Sequence, residues 1–339
     1  MAITSNVRDV DPELLPALSA RRPILHHLNA DTTWLLQLPI PSSERKPSSR
    51  LWFNLILDPW LFGPQSDVAS WFSRQWHAIE PAIGSIEEVN QLCERVECLS
   101  ELVGQDPFGE REKGRVDAIA ISHEFTDHCH KETLLGFDTS TPVIATTKAA
   151  RLISGWKHFD RVIETPSISG LGADWKITRI DGLPEWLGVG RVVNGDDAFY
   201  YHSAVVVTFR LGTRESPESV IYSPHGISPD SLSPICNSNP SIDVLAILHG
   251  LHDVSIDWGQ QLNLGALNGV KVQKALNAKY WIGTHDEVKQ GGGIVSWLLR
   301  RKVYTAADVL QAAKEEEQSS VLGRGEYLEL DNGGSVCLM

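Results

Sequence analysis

Residues 121–130 read Ile-Ser-His-Glu-Phe-Thr-Asp-His-Cys-His. His123, Asp127, His128 and His130 therefore follow directly on the apolar run from Val116 to Ile121. Neutral imidazoles and a carboxylate are the ligands that borderline metals such as zinc prefer. A loop at the end of a buried strand is also where a rigid scaffold presents its chemistry. The first expectation is a metal site in an enzyme. Further histidines repeat the placement: His202 opens the apolar run 203–211, His225 follows 219–222, His249 and His252 follow 243–248, and His285 follows 279–283. Histidines that recur at strand ends can be gathered at one rim of a sheet, as a single composite site requires.

The elements that would position these residues can be read from periodicity and turn chemistry. Strands are expected over 32–38 and 51–57, joined by the polar turn 41–49, and over 116–121, 143–146, 243–248 and 279–283. Weaker strands are expected over 163–165, 175–180 and 191–193, a hairpin over 203–211 and 219–222, and a short strand over 326–330. Helical spacing of Ile86, Val89, Leu92, Val96, Leu99 and Leu102 predicts a helix over 85–103 capped by Ser85. Further helices are expected from about residue 147, over 267–277 and over 306–314. Residues 1–30 read as an irregular arm, 31–315 as the domain and 316–339 as a loose tail.

Composition narrows the function classes. The formal net charge of -13 argues against a nucleic-acid surface, which needs clustered Lys and Arg. No apolar run reaches the length of a membrane span, and no secretory signal is visible at the N-terminus. Five cysteines without a CxxC pair read as reduced thiols, and the expected location is the cytoplasm. Trp34, Trp52, Trp60, Trp71 and Trp76 crowd the first quarter, as core or as pocket wall. The sequence does not specify an oligomeric state.

Taken in order, the motifs resemble those of the metallo-β-lactamase superfamily. His123-Glu124-Phe125-Thr126-Asp127-His128 stands in the place of its HxHxDH signature. His202 matches the next histidine, His225 falls where the bridging Asp is usual, and His285 matches the final histidine. Asp58, in Leu57-Asp58-Pro59-Trp60, matches the early Asp that orients a ligand histidine. The Leu-Asp-Pro-Trp-Leu and Asp-His-Cys-His contexts are similar to the branch containing ascorbate-phosphate lactonase. The resemblance implies an α/β fold, a four-layer αββα sandwich with metal at one edge.

The departures shape the expected site. Phe125 replaces the second histidine of the signature, and His225 replaces a carboxylate able to span two metals. One tight zinc ion is expected at Asp127, His128, His285 and His225, with manganese or iron as alternatives. A second site, keeping only His123 and His202, is expected to be weak or absent. Asp58, His130, His249 and His252 are expected around the ligands or against substrate. Asp127 and His225 are the expected catalytic groups.

The function implied is hydrolysis of a small-molecule ester, lactone, thioester or amide by metal-bound hydroxide. Two alternatives remain open from sequence: a lyase or isomerase using one Lewis-acid metal, and a non-catalytic scaffold that binds a metal or metabolite.

Overall fold

The structure, a computed structural model, describes residues 3–6, 18–46, 49–66, 71, 73–104, 111–170, 172–193, 201–212, 215–256, 260–292, 298–305, 307–309, 311, 314 and 325–339. The chain divides into two compact units: Met1–Asp67 with Gln75–Glu164 and Leu330–Met339, and Val68–Arg74 with Thr165–Glu329.

The first unit is built on an eight-stranded sheet in the order Ile3–Asn6, Gly334–Cys337, Ile24–His27, Trp34–Pro39, Trp52–Leu57, Ala118–Ile121, Val143–Ala145 and Val162–Glu164. The first five strands pair antiparallel, and the last four, from Trp52–Leu57 onward, pair parallel. Parallel neighbours need a crossover. The helix Ile86–Gly104 supplies one and Thr147–Gly155 another. The long helix starts at a reciprocal cap: Glu88 N donates to Ser85 Oγ at 3.2 Å, and the Glu88 carboxylate accepts from Gly84 N at 2.8 Å. Its Val89, Leu92, Cys93 and Val96 bury against Ile119 and Ile121 of the sheet. Because these strands run parallel, the loops at 58, 122 and 146 leave from one edge, where open α/β sheets place ligands.

Two expectations fail at the termini. Residues 24–27 form an inner strand of the sheet rather than part of an arm, and Gly334–Cys337 pairs beside it rather than trailing as a tail. His26 is held inside this sheet by Nδ1 to Ser335 Oγ and Nε2 to Gln37 Oε1, both at 2.7 Å. Gln37 Nε2 then donates to Asn54 Oδ1 at 2.7 Å, so one polar row crosses four adjacent strands. Burial lowers the His26 pKa to about 4. The row satisfies polar groups that would otherwise be costly in the interior.

The second unit carries a six-stranded sheet in the order Glu326–Leu328, Tyr280–Ile282, Asp243–His249, Glu218–Ser223, Ser203–Phe209 and Leu187–Val193. The helix Ala266–Leu276 packs its Val270 and Val272 in a core with Ile221, Ile247 and Trp281. Gly269 is needed there, since a Cβ would stand 2.3 Å from the Trp281 ring. A three-stranded sheet, Gln260–Asn263, Asp253–Ile256 and Leu299–Lys302, completes the unit. Trp175–Thr178, expected as part of a strand, is a 3-10 turn: Asp174 Oδ1 accepts from Lys176 N at 3.0 Å, and Thr178 Oγ1 donates to Trp175 O at 2.6 Å. Of the helix expected over 306–314, residues 307–309, 311 and 314 are described, and all of them are helical. Of the early tryptophans, Trp34, Trp52 and Trp60 are core, whereas Trp71 is 67% exposed.

Glu97 gives the first unit a measurable pH signature. It is buried and accepts from Leu51 N at 2.8 Å and Trp52 N at 2.9 Å. Desolvation pushes its pKa up to about 7, against the pull of those N–H groups, Arg50 and Arg111. A folded pKa above the unfolded one means stability is lost as pH rises through that interval. Glu97→Gln is expected to flatten the decline between pH 5 and pH 8 by about 3 kcal/mol, read from urea unfolding at the two pH values. An unchanged slope would show that Glu97 is not the titrating group.

Candidate metal centre

In the first unit the site begins at Asp58, directly after Trp52–Leu57. Its φ of 43° is left-handed, and its N–H donates to Ala120 O at 3.0 Å, which ties the turn to the neighbouring strand. Strained backbone of this kind collects where side-chain direction matters. The buried carboxylate accepts from Ser122 N at 2.7 Å, from Ser122 Oγ, and from His128 Nδ1 at 2.7 Å. A carboxylate only accepts, so Nδ1 carries the ring proton and Nε2 carries the lone pair. Asp127 Oδ1 lies 3.7 Å from that Nε2. The Asp127 backbone is anchored where its carbonyl accepts from Thr32 Oγ1 at 2.7 Å.

The other residues of the same loop are placed differently. His123 stacks on Phe125, with ring centroids 5.6 Å apart, and lies 5.5 Å from the His128 ring. His130 caps the short helix Lys131–Leu134: its Nδ1 accepts from Thr133 N at 3.3 Å, and Nε2 donates to Pro64 O at 3.4 Å. Burial lowers its pKa. Cys129 is packed in the core.

In the second unit, Glu218–Ser223, Asp243–His249 and Tyr280–Ile282 pair parallel, so their ends share one rim. Ser203–Phe209 pairs antiparallel to Glu218–Ser223, with Val205 opposite Tyr222, which brings half-buried His202 to the same rim. His225 sits in a turn closed by Gly226 N to Ser223 O at 3.0 Å. Gly226 has φ 80°, and a Cβ there would meet Leu264 at 2.7 Å and His249 Nε2 at 3.0 Å. His225 Nδ1 donates to Asn263 Oδ1 at 2.9 Å. Its Nε2 therefore carries the lone pair, as in His128. His285, at φ 58°, places its ring centroid 5.0 Å from that of His225.

The remaining rim histidines are both held by protein contacts at Nδ1. His249 Nδ1 donates to Gly250 O at 2.8 Å, and its Nε2 accepts from Asn268 Nδ2 at 3.0 Å. Burial takes its pKa down to about 4. His252 Nδ1 accepts from Arg301 Nη1 at 2.9 Å, and burial followed by the nearby Arg301 and His285 lowers its pKa to about 4. Asp286 holds the intervening loop by accepting from Leu251 N and His252 N, each at 2.8 Å.

Sequence reasoning found the histidines and Asp58 but missed their partners. Asn263 lies in a short polar strand with no chemical signature of its own. Arg301 comes from a strand far along the chain. Asp31, buried in the first unit, had a local signal: Asn29 Oδ1 accepts from Asp31 N and Thr33 N, each at 2.9 Å, an Asx turn.

No family model and no curated protein sequence matches the chain. Solved structures do. A possible metal-dependent hydrolase from Veillonella parvula aligns at 11% identity over 94% of this chain and 100% of its own, with a TM-score of 0.53. An isothiocyanate hydrolase from Delia radicum gut bacteria aligns at 12% identity over 93% and 99%, with a TM-score of 0.54. A metallo-β-lactamase fold protein from Bacillus subtilis aligns more loosely, at 11% identity over 92% and 98%, with a TM-score of 0.47. The likeness to the first two is one of fold alone, and it agrees with the α/β class of the structure. It does not single out the ascorbate-phosphate-lactonase branch. Among the described residues, no helix is long and apolar enough to cross a membrane.

Proposed function

We propose that the protein is a metal-dependent hydrolase of a small molecule, in which Asp127, His128, His225 and His285 would be the ligands of one divalent cation. The observation that carries this reading is the matched fixing of two imidazoles. Asp58 holds His128 Nδ1, and Asn263 holds His225 Nδ1, in each case through an oxygen that accepts. Both rings thereby offer Nε2 as a ligand atom, the arrangement that metal-binding histidines require. His249 and His130, whose nitrogens are spent on backbone and cap, show the contrasting structural use. Three neutral nitrogens and a carboxylate fit zinc, and also manganese or iron. His123 and His202 stand outside this set, and a second metal is expected to bind weakly or not at all.

A divalent cation in such a site supplies Lewis acidity, which acidifies water and polarises a carbonyl. Asp127 would take the proton of the attacking water at Oδ1 and return it to the departing group. The substrate class is an ester, lactone, thioester or amide. All five cysteines are free, which suits a reducing compartment, and we place the protein in the cytoplasm.

The test is turnover of an ester, lactone, thioester, amide and isothiocyanate panel before and after chelation. At least one substrate is expected to turn over, to stop on chelation and to recover with added zinc. Asp127→Asn is expected to slow it about 10²- to 10⁴-fold. Turnover indifferent to chelation would contradict the reading. Bound metal without any hydrolysis would favour lyase or isomerase chemistry, and a folded protein with no affinity for metal would favour a scaffold.

A further inference from the structure

The partner of each rim histidine sets which nitrogen carries the proton, and His252 is set the opposite way to His128 and His225. Its Nδ1 lies 2.9 Å from Arg301 Nη1. A guanidinium has donors only, so Nδ1 must accept and Nε2 must hold the proton. Asp286 Oδ1 is 3.8 Å from the same Nδ1, beyond hydrogen-bond reach, and already accepts from His252 N at 2.8 Å. Arg301 is held in turn by the sheet, where it pairs opposite Val254, and it also reaches Asp286 O at 3.5 Å. Among the described residues Nε2–H has no hydrogen-bond partner, and it lies on the ring edge turned away from Arg301 and Asp286. The ring is buried and close to His285.

We infer that His252 donates a hydrogen bond through Nε2–H to the substrate oxygen on which negative charge develops, and that Arg301 is the positioning residue that fixes this tautomer. The inference rests on the hydrolase reading above, and it names a role that a metal ligand cannot fill. A neutral imidazole locked as a donor needs no reorganisation when an oxyanion forms beside it, which is the property such donors exploit. It also explains why a cation belongs next to a histidine: a carboxylate at that position would reverse the tautomer and leave a lone pair facing the oxyanion.

The experiment has two readouts. Long-range ¹⁵N–¹H spectra of histidine in the metal-free protein are expected to show His252 as the Nε2–H tautomer, and as a mixture in Arg301→Met. Separately, inorganic phosphate serves as a tetrahedral oxyanion probe, titrated into zinc-loaded protein by calorimetry. His252→Ala is expected to weaken phosphate about 10- to 100-fold, with zinc content unchanged. His252→Asn, which keeps an N–H donor, is expected to recover most of the loss. An Nδ1–H tautomer in the wild type would overturn the inference, as would unchanged phosphate affinity in a zinc-loaded, folded His252→Ala. Loss in Arg301→Met without loss in His252→Ala would also overturn it, by making the guanidinium itself the anion contact. Failure of the wild type to take up zinc would instead overturn the hydrolase reading on which it stands.

Discussion

Asp58→Asn is expected to fold and to hold its metal about 10- to 100-fold less tightly than the wild type. Asparagine accepts the left-handed backbone that Asp58 adopts at φ 43°, so the turn survives. The side chain is the problem. Asp58 accepts from three donors: Ser122 N, Ser122 Oγ and His128 Nδ1. An amide offers one oxygen and one NH₂, and the NH₂ must face a donor. The least costly escape is for His128 to move its proton to Nε2, which turns the lone pair away from the ligand position. Asp58→Ala goes further. It leaves three buried donors without an acceptor and puts a Cβ-bearing residue with no local hydrogen bond in the left-handed region, costing about 3–5 kcal/mol of stability. Competition against a chromophoric chelator reads the first effect, and urea unfolding the second. Unaltered affinity in Asp58→Asn would mean that the carboxylate holds the fold and not the ring.

Removing His225 is expected to have the larger effect on the metal. It is one of three nitrogens in the proposed set, and its ring lies 5.0 Å from that of His285. His225→Ala is expected to lower affinity more than about 10³-fold, since structural zinc sites of this type draw about 10 kcal/mol or more from a full ligand set. The partner residue grades the effect. Asn263→Ala removes only the acceptor at Nδ1 and should cost about tenfold, whereas Asn263→Asp keeps an acceptor and should cost less. Equal losses for the two Asn263 variants would show that the hydrogen bond to His225 is not what matters.

Much of the architecture could be read from local pattern because buried parallel strands are short apolar runs. Ala118–Ile121, Val143–Ala145 and Asp243–His249 announce themselves in this way. Ile24–His27 does not, because half of it is histidine. Its place in the sheet depends on Gln37 of the next strand and on Ser335, 309 residues from His26. Gly334–Cys337 is equally silent, since its pairing partners are near the opposite terminus. Trp175–Thr178 misled for another reason. Its aromatic and β-branched residues favour strand, but Asp174 caps it as a turn, and capping won over propensity. The candidate site shows the same division. Strand-end histidines are visible as residue types at regular places, while the choice between ligand, donor and structural ring is made by partners such as Asn263, Arg301 and Asn268. Those contacts are long-range and carry no motif.

The central claim is that one divalent ion sits on His128, His225 and His285 and not on His123. Elemental analysis after zinc loading and desalting tests it directly, on the wild type, His128→Ala and His123→Ala. The account predicts about one equivalent of metal per chain in the wild type, almost none in His128→Ala and close to the wild-type content in His123→Ala. Full occupancy in His128→Ala together with loss in His123→Ala would contradict it.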